Sequence, residues 1–260
     1  MTTAVSTHLL GFAHELADTA DEIALRVYRG DLSVRTKPDA TLVTQADTEI
    51  ESTLRRRIAA AHPDHGLVGE EYGSEAEGSE WRWVIDPIDG THNFVRGIPL
   101  FATLIGLARG ADVVVGVASA PALTSRWWAA RGQGAHRRDV AGWRSIHASL
   151  IGSLADSQVC YPSLRGIGRA GRDDALRTIV RGAWRDRGFG DFWQHMLVAQ
   201  GSAEAAIEVG VKPWDMAAPF VIVTEAGGRM TDYEGRDSWT APNILTSNGA
   251  VHDEVLAHLR

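Results

Sequence analysis

The chain has almost no cysteine. Cys160 stands alone among 260 residues, which excludes an internal disulfide, a CxxC redox pair and a zinc ribbon. In "SQVCY" it reads as a small buried hydrophobe. Basic blocks are also missing, and a formal charge of -7 with a pI of about 5.8 argues against nucleic acid or an anionic membrane as partner. No apolar run approaches a membrane span, and the first residues lack a basic segment followed by an apolar one, so a cytoplasmic protein is expected. There is no internal repeat, no low-complexity linker, no GxSxG and no Walker loop, and the ten histidines show no HExxH spacing.

What is present is ordinary globular composition, 44% hydrophobic and 23% charged, enough to bury a sizeable core. Leu9, Phe12, Ala13, Leu16, Ala20, Ile23, Ala24 and Val27 recur at helical spacing, predicting an amphipathic helix over 7–29 closed by Gly30. An irregular polar stretch follows. Ile50, Leu54 and Ile58 then mark a second helix with Asp47 in its first turn, where a carboxylate suits the positive helix end. "LFATLIGLA", "DVVVGVASA", "SRWWAA" and "GAHRR" predict an antiparallel meander. Helical patterns return over 172–184, 191–201, 214–226 and 252–259, with strands at "AEAAIEV" and "NILTSN". The fold class is α+β or mixed α/β, helices layered on sheets. A single unit over 1–260 is expected, its halves meeting near residue 145 with no flexible linker between them.

The stretch "WRWVIDPIDGTHNF" brings two carboxylates, Asp86 and Asp89, to the end of an apolar strand, where lone charges are costly. Pro87 fixes its own φ and removes a donor, so the strand is expected to stop at Asp86. Asp89-Gly90-Thr91 supplies turn chemistry, with amides at 90 and 91 placed to open a helix. Further acids end an apolar run in "LVGEEYG" (Glu70, Glu71) or start a helix in "KPWDMAAPF" (Asp215) and "VTQAD" (Asp47). Each alone is more often an N-cap or a solvated acid than a ligand. Together they suit one shared site, which stays ionised only with cations. All-oxygen ligation selects hard ions, Mg²⁺ first. Metals beside an anion seat point to phosphate-ester hydrolysis by an activated water.

"DPIDGTHNF", "GEE" and "PWDMAA", in this order and spacing, resemble the inositol monophosphatase superfamily of Mg²⁺-dependent, lithium-sensitive phosphatases, from "LVTQAD" to "TSNGAVHDEV". The resemblance implies a layered αβαβα sandwich of the inositol monophosphatase and fructose-1,6-bisphosphatase type, a homodimer and two or three Mg²⁺ ions per site. It implies Glu70, Asp86, Asp89, Asp215 and the Ile88 carbonyl as metal ligands, and Asp47 for a third metal and the attacking water. Thr91 would orient that water, and the Gly90 and Thr91 amides would hold the phosphate. It also implies a mobile loop from Asp31 to Val43, Lys37 included, that orders on binding.

Within that superfamily "NFVRGIPLFATLIGLA", "SAPALTSRWWAARGQGA" and "GFGDFWQHMLVAQG" most resemble bacterial histidinol-phosphate phosphatases. Asp191 stands where inositol phosphatases tend to carry a small or hydroxylic residue. Histidinol phosphate carries an ammonium and an imidazole, whereas inositol is a neutral polyol, so an acid there favours the former. Glu208 matches a substrate-binding acid and would take the second nitrogen. Asp191 also reads as an N-cap of the helix that follows it. Inositol 1-phosphate or another sugar phosphate is the alternative substrate. A non-catalytic metal- or phosphate-binding regulator is disfavoured, because every matched acid is present. His92 departs from the lysine or threonine of many relatives.

Three other features carry less. "GIGRAG" satisfies GxGxxG, but "YPSLR" separates it from any strand, which argues against a dinucleotide turn. His62 and His65 in "HPDH" read as solvated turn residues. Adjacent Trp127 and Trp128 face opposite sides of one strand, and Trp193 is placed near the pocket.

Overall fold

The structure, a computed structural model, describes residues 3–30, 33–36, 42–76 and 78–260, with side chains from residue 7 onward. Most of the expected mobile loop, Lys37 included, lies outside the described residues. The first half comprises α1 (Thr3–Val27), β1 (Val34–Thr36), β2 (Leu42–Thr44), α2 (Gln45–Ala61), β3 (Gly66–Gly69), β4 (Gly73–Glu75) and β5 (Trp81–Asp89). After α3 (Thr91–Val95) come β6 (Ala102–Arg109), β7 (Asp112–Ala120), β8 (Ser125–Ala130), β9 (Ala135–Asp139) and β10 (Gly142–Ile146). The rest alternates: β11 (Gln158–Cys160), α4 (Leu164–Arg169), α5 (Asp173–Gly182), β12 (Arg185–Arg187), α6 (Asp191–Ala199) and β13 (Ala205–Val209). It closes with α7 (Pro213–Glu225), β14 (Arg229–Asp232), β15 (Asn243–Ser247) and α8 (His252–Leu259).

One sheet has eight strands in the order β10-β9-β8-β7-β6-β5-β3-β4, antiparallel throughout except for β3 beside β5. The other has five, β12-β11-β13-β15-β14, with β11 parallel to both its neighbours. One face of the large sheet packs on α1 and α2 through Leu16, Ile50, Leu54, Trp83 and Ile105. Its other face packs on α6 and α7, which carry Phe192, Ala217, Val221 and Ile222. The small sheet closes over α6 through Cys160 and Val198, and α5 and α8 cover its far side. The layers run αβαβα, as the resemblance implied. Adjacent Trp127 and Trp128 indeed split between the two faces of the large sheet.

Several short elements were not anticipated. β1, β10, β12 and α4 bury few side chains, so no apolar period announces them. The "GIGRAG" glycines fall in α4 and its exit, not after a strand. Cys160 is buried, which pushes its thiol up to about 12 and leaves it inert. His62 and His65 are not simply solvated. Their rings stack 4.6 Å apart, and His65 Nδ1 accepts a 3.1 Å hydrogen bond from Trp83 Nε1. Among the described residues no helix is long and apolar enough to cross a membrane.

Two glycines set the position of α7. A Cβ on Gly106 would lie 2.8 Å from Ala217 Cβ, and one on Gly116 would lie 2.7 Å from Ala218 O. These paired strand glycines therefore let the helix backbone come down onto the sheet. Its first turn, with Asp215, thereby reaches the end of β5.

Candidate active site

Strand β5 does not stop at Asp86. It runs through Pro87 to Asp89, because Pro87 sits in a bulge where no ladder donor is needed: Asp86 pairs with Leu104 and Asp89 with Ala102. Thr103 Oγ1 donates to Pro87 O at 2.8 Å and fixes that bulge. Residues three apart on a regular strand point to opposite faces. The extra residue brings Asp86 and Asp89 round to one face, both buried. The chain then turns at Gly90, whose φ of 82° is the left-handed region and whose Cβ would lie 2.9 Å from Leu100 O. Gly90 caps α3, so the turn forecast at Gly90-Thr91 does open a helix.

Asp215 stands in the first turn of α7 behind Pro213, and its Oδ2 accepts from the Lys212 amide at 2.8 Å. Carboxylate oxygens of Asp86, Asp89 and Asp215 lie within 4.8 Å of one another. Burial, then Glu70 and Asp89, drives the Asp86 carboxyl well above the usual range, and burial followed by Asp191 and Asp215 does the same to Asp89. Burial takes Asp215 up to about 7. Asp86 Oδ1 is buried without a hydrogen-bond partner. Three converging carboxylates, one with an unpartnered buried oxygen, fit a hard divalent cation.

Asp47 is buried at the start of α2. Its Oδ2 accepts from Thr44 N at 2.8 Å and from Thr44 Oγ1 at 2.6 Å, a capping box that leaves Oδ1 facing Thr91. Thr91 Oγ1 donates to Ile88 O at 3.0 Å and lies 3.5 Å from Asp47 Oδ1. Burial pushes Asp47 up to about 6, with Glu70 adding to the rise. Glu70 follows β3 and acts electrostatically on Asp47, Asp86 and Asp215, so it belongs to the same cluster.

Asp191 and Glu208 face that cluster from α6 and β13. Asp191 has a φ of 54°, rare outside glycine, and does not cap its helix. The cap comes instead from Asp89, whose Oδ2 accepts from Phe192 N at 2.6 Å. The Asp191 carboxylate receives Asn93 Nδ2 at 3.2 Å, and burial raises it to about 6. Glu208 is buried and driven well up, by burial first and then by Asp191 and Asp215. His92 is exposed. Trp193 packs 5.8 Å from Trp127, against the core.

Sequence reasoning missed Glu51. This wholly buried acid accepts from Glu71 N at 2.7 Å and Tyr72 N at 3.1 Å, pinning the turn that carries Glu70. Arg55 pairs with it at 2.8 Å, and no Cβ fits at Gly69 because the Glu51 carboxylate occupies the space. The available signal was position: Glu51 lies one helical turn after Asp47, between core residues Ile50 and Leu54. Asn93 and Gln194 were missed as well, since an amide next to an acid leaves no pattern in a single chain.

The model of the inositol monophosphatase family matches residues 6–260. A histidinol-phosphatase of Streptomyces coelicolor is 44% identical over 256 residues, covering 96% of each chain. One of Mycobacterium tuberculosis is 42% identical over 253 residues, covering 96% of this chain and 97% of its own. The crystal structure of the extragenic suppressor protein suhB from Bartonella henselae superposes with a TM-score of 0.88 at 31% identity, covering 97% of this chain and 98% of that one. The chain therefore belongs to the inositol monophosphatase family and is a phosphatase.

Proposed function

We propose that the chain is a Mg²⁺-dependent phosphate monoester hydrolase that converts histidinol phosphate and water to histidinol and phosphate. The observation that carries the reading is the pairing of two acid groups across one site. Asp86, Asp89 and Asp215 converge with an unpartnered oxygen, and Asp191 and Glu208 stand opposite without a lysine or arginine partner among the described residues. Glu70, Asp86, Asp89, Asp215 and the Ile88 carbonyl would hold Mg²⁺, with Asp47 serving a third ion. Bound there, Mg²⁺ supplies Lewis-acid polarisation of the phosphate, lowers the pKa of water and offsets charge on the leaving oxygen.

The chain's own residues do the rest. Thr91 Oγ1, fixed between Ile88 O and Asp47, orients the attacking water in line with the leaving oxygen. Asp47 Oδ1, with Glu70 beside it, receives the water's proton; a carboxyl raised to about 6 suits a base near neutral pH. The Gly90 and Thr91 amides hold the phosphate oxygens. Asp191 and Glu208 receive the ammonium and imidazole. Among the described residues the one ionisable base within 4.0 Å of the Glu208 carboxyl is His195, and burial lowers that ring to about 3, so no protein cation competes with the substrate's.

Phosphate release from histidinol phosphate and inositol 1-phosphate, each with Mg²⁺ and with EDTA, tests this. A preference for histidinol phosphate that EDTA abolishes is expected. Equal or reversed preference would sink the substrate assignment and leave the metal reading standing. We further propose that residues 1–260 work as one unit, because α7 packs against both sheets. A cytoplasmic homodimer completes the proposal: exposed apolar side chains such as Leu150 and Trp184 suit a covering partner, and light scattering would show the dimer mass.

A further inference from the structure

Behind Glu208, helix α6 builds a mount of neutral groups. Gln194 is wholly buried, and its Nε2 donates to Glu208 Oε1 and to Ile207 O at 3.3 Å, while its Oε1 has no partner. His195, also wholly buried, is tied through Nδ1 to Thr246 Oγ1 at 2.9 Å. Its Nε2 is unpartnered and lies 4.0 Å from Glu208 Oε1. Tyr233 Oη donates to the Glu208 carbonyl at 2.8 Å, so backbone and carboxylate are both held.

Asp191 is seated in the same manner. Its carboxylate takes Asn93 Nδ2 at 3.2 Å, and that amide is itself anchored on Leu100 O at 2.9 Å. Several other buried or half-buried acids are restrained by arginine: Asp21 with Arg126 at 2.7 Å, Glu51 with Arg55 at 2.8 Å, Asp139 with Arg144 at 2.9 Å. A guanidinium both fixes a carboxylate and cancels its charge. A carboxamide fixes it and leaves the charge intact. Using amides at Asp191 and Glu208 holds two oriented carboxyls in dry surroundings with no protein cation to neutralise them, so their ionised forms are left for a ligand's cation to stabilise.

We propose that Gln194 is a positioning residue that sets preference for a cationic leaving group by fixing the Glu208 carboxyl in place without neutralising it. The inference rests on the substrate class proposed above and adds the residue through which one acid acts. Gln194 lies one turn after Asp191 on α6, so a single helix face carries one acid and the mount of the other.

The wild-type protein is first assayed with histidinol phosphate and with p-nitrophenyl phosphate, whose leaving group bears no cation. Gln194→Met keeps the shape and removes the N–H donors. The KM for histidinol phosphate should rise about tenfold with kcat within about twofold, and kcat/KM for p-nitrophenyl phosphate should stay within about twofold. In a Glu208→Gln background Gln194→Met should add no further loss of the ratio, because the two act as a unit. If Gln194→Met fails to fold, Gln194→Asn, whose amide is too short to reach, should show the same loss. A ratio unchanged by either variant, a parallel fall on both esters, or full additivity with Glu208→Gln would overturn the inference alone. A wild type with no preference for the cationic ester would overturn the substrate assignment instead, and this inference with it.

Discussion

The acids at the end of β5 and those facing them from α6 and β13 are the same chemical group in similarly dry surroundings, but their settings differ. Asp86, Asp89 and Asp215 crowd within 4.8 Å of one another, where beyond the effect of burial Asp89 and Asp215 raise the proton affinity of Asp86 and Asp215 raises that of Asp89. Asp191 and Glu208 are separately mounted, each on a neutral amide. Crowded carboxylates call for a small ion of double charge. Acids mounted separately on neutral amides suit single charges spread over a larger molecule. In the proposed function one wall serves the reaction and the other selects the ester, with Asp89 joining them, since it also caps the helix bearing Asp191.

That division breaks most visibly at Asp86. Asp86→Asn should lower Mg²⁺-dependent phosphate release by about three orders of magnitude or more, with an unchanged circular dichroism spectrum. Retained turnover would mean the crowded wall is structural. Glu51→Gln should weaken Mg²⁺ binding about tenfold in isothermal titration, since second-layer groups orient ligands, and leave the KM ratio of the two esters untouched. An effect on the ratio instead would erase the boundary between the walls. Asp191→Asn should raise the KM for histidinol phosphate about fivefold with little change for inositol 1-phosphate. Equal changes would remove Asp191 from substrate selection.

The smallest effect sharpens the contrast through pH. Without metal, the raised acids hold protons in the folded state that they release on unfolding. Their stabilising contribution is complete below about 3.8 and is lost as pH rises through about 6 for Asp47 and about 7 for Asp215. Half-buried His14 and buried His252, lowered to about 4, act in the opposite sense: their contribution is complete above 6.5 and fades as pH falls toward 4. At the proposed site Mg²⁺ competes with protons at the carboxylates and not at these histidines. The gain in melting temperature on adding Mg²⁺ should therefore grow from about pH 4 to pH 7, by a few degrees. A gain independent of pH would show that the acids do not share the ion.

Much of the architecture was legible in the chain. The helices with apolar faces, α1, α2, α5, α6, α7 and α8, and the meander β6 to β9 follow from period alone, because burial on one face writes itself into the sequence. Elements that bury little leave no such trace, which is why β10, β12 and α4 went unread. The end of β5 was misjudged for a different reason: proline forbids a ladder hydrogen bond, but a bulge removes the need for one, and only the register with β6 reveals it.

By itself the sequence determined the chemistry on offer: oxygen ligands without thiols, acids at strand ends and helix starts, and a further acid at position 191. Tertiary structure alone decided how those acids divide. Gly106 and Gly116 let α7 settle onto the sheet, the bulge turned Asp89 to the side of Asp86, and α6 carried Gln194 behind Glu208. Residues far apart in the chain share a charge environment only after packing has removed water between them, and no spacing along one strand or helix encodes that.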